Sequence, residues 1–134
     1  MKKYIFILMI FVVSACNQKV TQQDLQHLNG YWEIEKAITP DKQVKEYQLN
    51  TTYDYIEING EKGFRKKVYP QLMGRFQTND DSETFEVINE ANSFKMNYEN
   101  EGNQWTETLK SINETSFVVE NEAGIEYHYK RVKN

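Results

Sequence analysis

The sequence predicts an all-β domain: an antiparallel up-and-down β-barrel of about eight strands with a short N-terminal helix. Three observations predict it. Apolar and polar residues alternate over short runs from Gly30 to Val132, the pattern of strands with one wet face. Short turn signals separate those runs after Tyr53, so successive strands are antiparallel neighbours. Nine tyrosines and seven phenylalanines supply rings to fill one small core. Closing a meander into a barrel removes its edges, and about eight strands enclose either side chains or one small ligand. A Greek-key sandwich would need longer crossings than this chain has after Tyr53.

The start of the chain stands apart from that domain. Lys2 and Lys3 precede the apolar run Tyr4 to Val13. That run is too short for a bilayer span of about 20 residues, so residues 1–15 read as a secretory signal peptide. Cys16 is the single cysteine, which leaves no intramolecular disulfide to form. With polar Asn17, Gln18 and Lys19 behind it, it has no core to enter, and residues 16–23 read as a tether. The net charge is −4 and becomes more negative once the two leader lysines are removed. With no basic run to meet phosphates, nucleic acid is excluded as a partner. Residues 24–134 have the length of one domain, and a monomer is expected.

Within the domain, Thr21-Gln22-Gln23-Asp24 has the form of a capping box. One or two helical turns carrying Leu25 and Leu28 follow, ended by Asn29-Gly30. The first strand, Gly30 to Ile38, places Trp32, Ile34 and Ile38 inside with Lys36 as the lone charge there, and Tyr31, Glu33 and Glu35 outside. Thr39 to Thr52 opens on the turn Thr39-Pro40-Asp41-Lys42 and is expected to be irregular, with the length of a lid. The next strand is Tyr53 to Ile58, with Ile56 and Ile58 inward. An Asn59-Gly60 hairpin leads to Phe64 to Tyr69, with Phe64 and Val68 inward. Pro70 breaks the ladder before Leu72 to Phe76, and Asn79-Asp80-Asp81-Ser82 reads as a turn. Four further strands follow: Glu83 to Asn89 with Phe85 and Val87 inward, Ser93 to Glu99 with Phe94, Met96 and Tyr98, Gln104 to Ile112 with Trp105 and Leu109 beside Glu107, and Ser116 to Asn121 with Phe117 and Val119. The last, Ile125 to Val132, points Ile125, Tyr127, Tyr129 and Arg131 inward.

Two resemblances add to this. Val13-Ser14-Ala15-Cys16 resembles the lipobox of bacterial lipoproteins. That implies cleavage before Cys16, attachment of palmitate-type acyl chains to it, and the membrane as a partner. Asn17 is not the aspartate of an inner-membrane retention signal and no acidic export run follows, which places the protein on the outer membrane, facing the periplasm. Gly30-Tyr31-Trp32 after a short helix, the long loop Thr39 to Thr52, and Arg131 near the end of the last strand together resemble the lipocalin superfamily, in particular the small lipocalin-like lipoproteins of Bacteroidetes-type bacteria. The resemblance implies that Gly30, Trp32 and Arg131 close the barrel, with Arg131 packed across Trp32. The chain departs from the family in its short length and in lacking both the helix after the barrel and the usual disulfide.

The inward polar-aromatic set Phe76, Met96, Tyr98, Trp105, Tyr127 and Tyr129 would line a pocket for a small apolar ligand. The same rings could instead fill the barrel. It would then serve as a protein-interaction or structural module, with Tyr31, Tyr53, Tyr55 and Tyr69 or the Thr39 to Thr52 loop as contact surface. Nothing in the pattern suggests chemistry. His27 and His128 lie in different elements, and Ser82, Ser93, Ser111 and Ser116 sit in turns or strand edges without a glycine elbow. The acidic turn Asp80-Asp81-Ser82-Glu83 lacks the spacing of a calcium loop, and Glu107 reads as a charge at the barrel rim. No catalytic residue, metal or cofactor is expected, and no enzyme.

Overall fold

In a computed structural model of the chain, residues 19–70 and 76–133 are described, apart from the side chains of residues 76–80. Residues 1–18, including Cys16, lie outside them, as do Leu72, Met73 and Gly74. A 3-10 helix, Gln22–Leu28, precedes nine strands. These are β1 (Gly30–Ile38), β2 (Val44–Glu46), β3 (Tyr53–Asn59), β4 (Lys62–Pro70), β5 (Phe76–Glu90), β6 (Ser93–Asn100), β7 (Asn103–Ile112), β8 (Ser116–Asn121) and β9 (Glu126–Arg131). Strands β3 to β9 pair in chain order, and β1 pairs with both β3 and β9, so eight antiparallel strands close a barrel. The ninth, β2, adds to the far end of β1.

Local chemistry explains several joints. Asp24 accepts the Thr21 backbone N–H at 2.8 Å, fixing the helix start, and Leu25 and Leu28 turn into the core. Between β5 and β6, Ala91 and Asn92 both have positive φ, 51° and 64°, the hand of hairpin turn that matches strand twist. Inside lie Trp32, Ile56, Ile58, Phe85, Val87, Phe94, Met96, Leu109, Phe117 and Val119, as period-two alternation requires.

Four details differ from the sequence reading, two of them where a bulge shifts strand parity. Ile34 pairs with Tyr129 but Lys36 pairs with His128, so Glu35 is an extra residue bulged out of β1. Beyond it the faces exchange, and Ala37 is buried in place of Ile38 while Lys36 leaves the inner side. The second difference is in β4, where the hairpin register is unbroken. Ile58 faces Gly63 and Ile56 faces Arg65, so Arg65 points inward. Phe64 packs outside, its ring 6.1 Å from that of Tyr55. Third, no turn forms at Asn79-Asp80-Asp81-Ser82. Strand β5 runs through, pairing Ser82 with Lys66 and Thr78 with Val68, so the acidic residues form a bulge against β4. Finally, the loop expected to be irregular holds the short strand β2, recruited by the free edge of β1.

Candidate binding site

The base of the barrel is sealed. Trp32 is fully buried, and its indole Nε1–H donates to the Leu28 carbonyl at 2.8 Å. Phe117 meets its ring edge-on, with centroids 4.7 Å apart. The Arg131 guanidinium lies 4.2 Å over the same ring. It also donates to three backbone carbonyls, those of Glu114 at 2.6 Å, Asn29 at 2.9 Å and His27 at 2.7 Å. Gly30 makes room for this. Its φ is +128°, and a Cβ there would stand 2.5 Å from Arg131 Nη1. One residue earlier, the Asn29 side chain accepts the Ile58 N–H at 2.7 Å, joining the helix end to β3.

The open half is built differently. Strand pairing stacks Tyr98 of β6 on Trp105 of β7, with centroids 5.5 Å apart and rings 7° from parallel. Arg65 lies on Tyr98, its guanidinium 4.6 Å from the ring centre. Its Nε and Nη2 donate to Glu83 Oε2 at 3.0 and 2.7 Å, and its Nη1 is 3.6 Å from Glu107 Oε1. Glu107 is thus buried inside, not at the rim. Asp54 is buried as well. Lys67 Nζ stands 2.6 Å from its Oδ1, an ion pair without hydrogen-bond alignment. Tyr129 stacks on Phe117 at 4.6 Å and joins this layer to the base.

Burial dominates the titration of these groups. It pushes the Tyr98 and Tyr129 hydroxyls well above the usual phenol range. It raises Glu107 above an ordinary carboxyl, with Arg65 opposing the shift only in part. For Arg65 itself, burial works against the charge, but Tyr98, Glu107, Tyr129 and Asp54 together outweigh it and keep the guanidinium protonated. A cleft of about 220 Å³ reaches this cluster, lined by Asp54, Arg65, Lys67, Asp81, Glu83 and Asn100 among others. A wider groove of about 750 Å³ crosses β4 to β7 on the row Lys62, Glu86, Asn97 and Thr106, and touches Tyr98 and Trp105.

Of the residues expected to line a pocket, Met96, Tyr98 and Tyr129 are in the core, while Trp105 and Tyr127 are half-buried against it. Phe76 begins β5, and its side chain lies outside the described residues. Sequence reasoning did not find Arg65, Asp54 and Glu83. The signal was available in the hairpin: pairing Asn59 with Lys62 across the two-residue turn Gly60-Glu61 forces Ile56 opposite Arg65. Among the described residues, no group of three or more His, Cys, Asp or Glu is arranged to hold a metal ion. No helix there is long and apolar enough to cross a membrane.

No protein-family model matches the sequence, and no curated protein does. Solved structures match it in shape. Apocrustacyanin C1 aligns with a TM-score of 0.52 and 10% identity, over 85% of this chain and 66% of that one. A lipocalin-like protein from Bacteroides uniformis aligns at 0.48 with 10% identity, over 79% of this chain and 99% of its own. An uncharacterized protein from Bacteroides eggerthii aligns at 0.49 with 8% identity, over 78% and 99%. The barrel is lipocalin-like in fold. At such identities the likeness is one of fold.

Proposed function

We propose that this chain is a lipid-anchored, lipocalin-like protein of the cell envelope that binds or carries a small, largely apolar ligand without catalysis. The observation that carries the reading is the contrast inside the barrel. The base is closed by Trp32 and Arg131, while the open half has the stacked Tyr98 and Trp105 on a groove across β4 to β7 and a separate cleft reaching Arg65. Residues 1–15 as a signal peptide and acylation of Cys16 would fix the protein to the outer membrane, facing the periplasm. The second reading, a filled barrel acting as an interaction module, is favoured by the run of rings from Trp32 through Phe117 to Tyr129 and by Arg65 occupying the interior.

Native mass spectrometry of the protein purified in mild detergent from its own envelope extract separates the two. An adduct that disappears on denaturation supports the ligand carrier. A clean apo mass, with no uptake from a panel of fatty acids, isoprenoids and porphyrins, favours the module. The mass of the N-terminal peptide tests the anchor independently, since acyl chains on Cys16 add their own mass.

A further inference from the structure

The chain joins the barrel at its sealed end. Val20 packs, half-buried, against the core between two shallow depressions of the base. One holds Lys19 and Lys110 beside the β5–β6 turn at Asn92, and the other holds Asp24 and Glu114 beside the β7–β8 turn at Asn113. The helix that follows closes the same end, with Leu25 and Leu28 buried beneath it. Only Asn17, Gln18 and Lys19 stand between Cys16 and Val20. The distance from Cys16 to Val20 is therefore at most about 14 Å, even with the backbone fully extended. The mouth is farther off. Strand β6 runs from Ser93 at the base to Asn100 at the β6–β7 turn, and its eight residues span about 23 Å.

Whatever holds Cys16 therefore holds the base close to it. We propose that the sealed base docks on the phospholipid headgroup layer that carries the anchor, so that the mouth of the barrel faces away from that membrane. The inference rests on the lipid-anchor reading above and adds an orientation to it. A zwitterionic layer such as phosphatidylethanolamine suits this rim, because both signs of charge surround the place where the chain leaves the fold. Lys19 and Lys110 meet phosphates, Lys110 while still paired with Glu120 at 3.2 Å, and Asp24 and Glu114 meet ammonium groups. In this orientation the cleft at Arg65, which Asn100 lines at the mouth end, faces the aqueous side. A ligand then comes and goes through the aqueous space, not sideways from the anchoring bilayer.

The test places the whole acylated protein on vesicles of phosphatidylethanolamine and phosphatidylcholine, a small share of which carries a nitroxide on the headgroup. Acylation consumes the Cys16 thiol, so a single introduced cysteine takes the fluorophore. The three variants are Ala91→Cys at the base, Asn97→Cys on the outer wall and Ala123→Cys at the mouth, all at exposed positions. The label of Ala91→Cys should lose most of its fluorescence, that of Asn97→Cys less, and that of Ala123→Cys almost none. Strongest quenching at the wall or the mouth, equal quenching at all three, or no quenching would overturn the docking. The mass of the N-terminal peptide keeps the two readings apart. Docking that fails on a protein with acylated Cys16 leaves the anchor standing, whereas an unacylated Cys16 removes both. Where a variant fails to fold, a phosphatidylethanolamine with a photoreactive headgroup decides on the unaltered protein. Its adducts should map to residues 88–95 and 108–116, and adducts at 100–103 or 121–125, or none, would overturn the proposal.

Discussion

Arg131 at the base of the barrel and Arg65 in its open half both point inward and both lie over an aromatic ring, at 4.2 and 4.6 Å, yet their partners differ in kind. Arg131 donates to backbone carbonyls of the helix, the residue before β1 and the turn before β8. Those acceptors cannot rotate away, and the guanidinium fork fits them as a strut between segments far apart in sequence. Arg65 is held by side chains, Glu83 closely and Glu107 loosely, and both can rearrange. The difference assigns the two ends different work. Fixed backbone acceptors hold the base by geometry, whereas the open half is held by side-chain pairs that can rearrange.

The contrast breaks first at the base. Trp32→Ala removes a fully buried ring that anchors Phe117, Arg131 and the helix carbonyl, and should cost about 3–5 kcal/mol in urea unfolding. A variant with the unfolding midpoint of the unaltered protein would show that the base is not the rigid end. Arg131→Ala should cost less, about 2–3 kcal/mol, by leaving three carbonyls without a charged donor and the Trp32 face uncovered. Arg131→Lys should recover only part of that, because an ammonium cannot serve three separated carbonyls across a ring. Full recovery by lysine would mean that charge, not the fork, closes the barrel.

The same contrast marks what the sequence made legible. Alternation located Trp32, Phe85, Met96, Tyr98, Phe117 and Tyr129 inside, because each lies on an unbulged stretch where period two holds. Alternation failed wherever one extra residue entered a strand. The bulge at Glu35 exchanged Ala37 for Ile38, and the acidic residues after Asn79 look like a turn yet form a bulge in β5. Arg65 was missed for another reason. Phe64 is the apolar neighbour and a hydrophobic pattern prefers it, but the hairpin register sends the arginine in. A charge is placed inside by partners on other strands, here Glu83 and Glu107, and no local pattern carries that information.

Gly63 tests how tightly the open half is packed. It pairs with Phe85 on the inner side, and a Cβ there would press on the Glu57 carbonyl and stand 2.6 Å from the Phe85 ring. Gly63→Ala should therefore cost about 1–3 kcal/mol through overpacking. A neutral result in thermal unfolding would show that Phe85 and its neighbour Tyr98 have room to move, which makes the open half looser still than the base.

The smallest effect is the most informative about the charges. Burial raises the Glu107 carboxyl above its ordinary value of 4.5, and the Arg65 charge opposes this incompletely. Between the ordinary and the raised values the folded protein holds more proton than the unfolded chain, so stability falls as pH rises through that window. The contribution of Glu107 is most favourable below about 4.5 and is lost once the folded carboxyl ionises. Glu107→Gln removes the buried charge while keeping the shape. It should unfold at higher urea than the unaltered protein near pH 7, with the gap closing toward about pH 4. If the glutamine variant is instead the less stable of the two near pH 7, the ion pair with Arg65 outweighs the cost of burial. Glu107 would then be a structural partner of the kind that Arg131 finds in backbone carbonyls, and the two halves of the barrel would differ in chemistry without differing in rigidity.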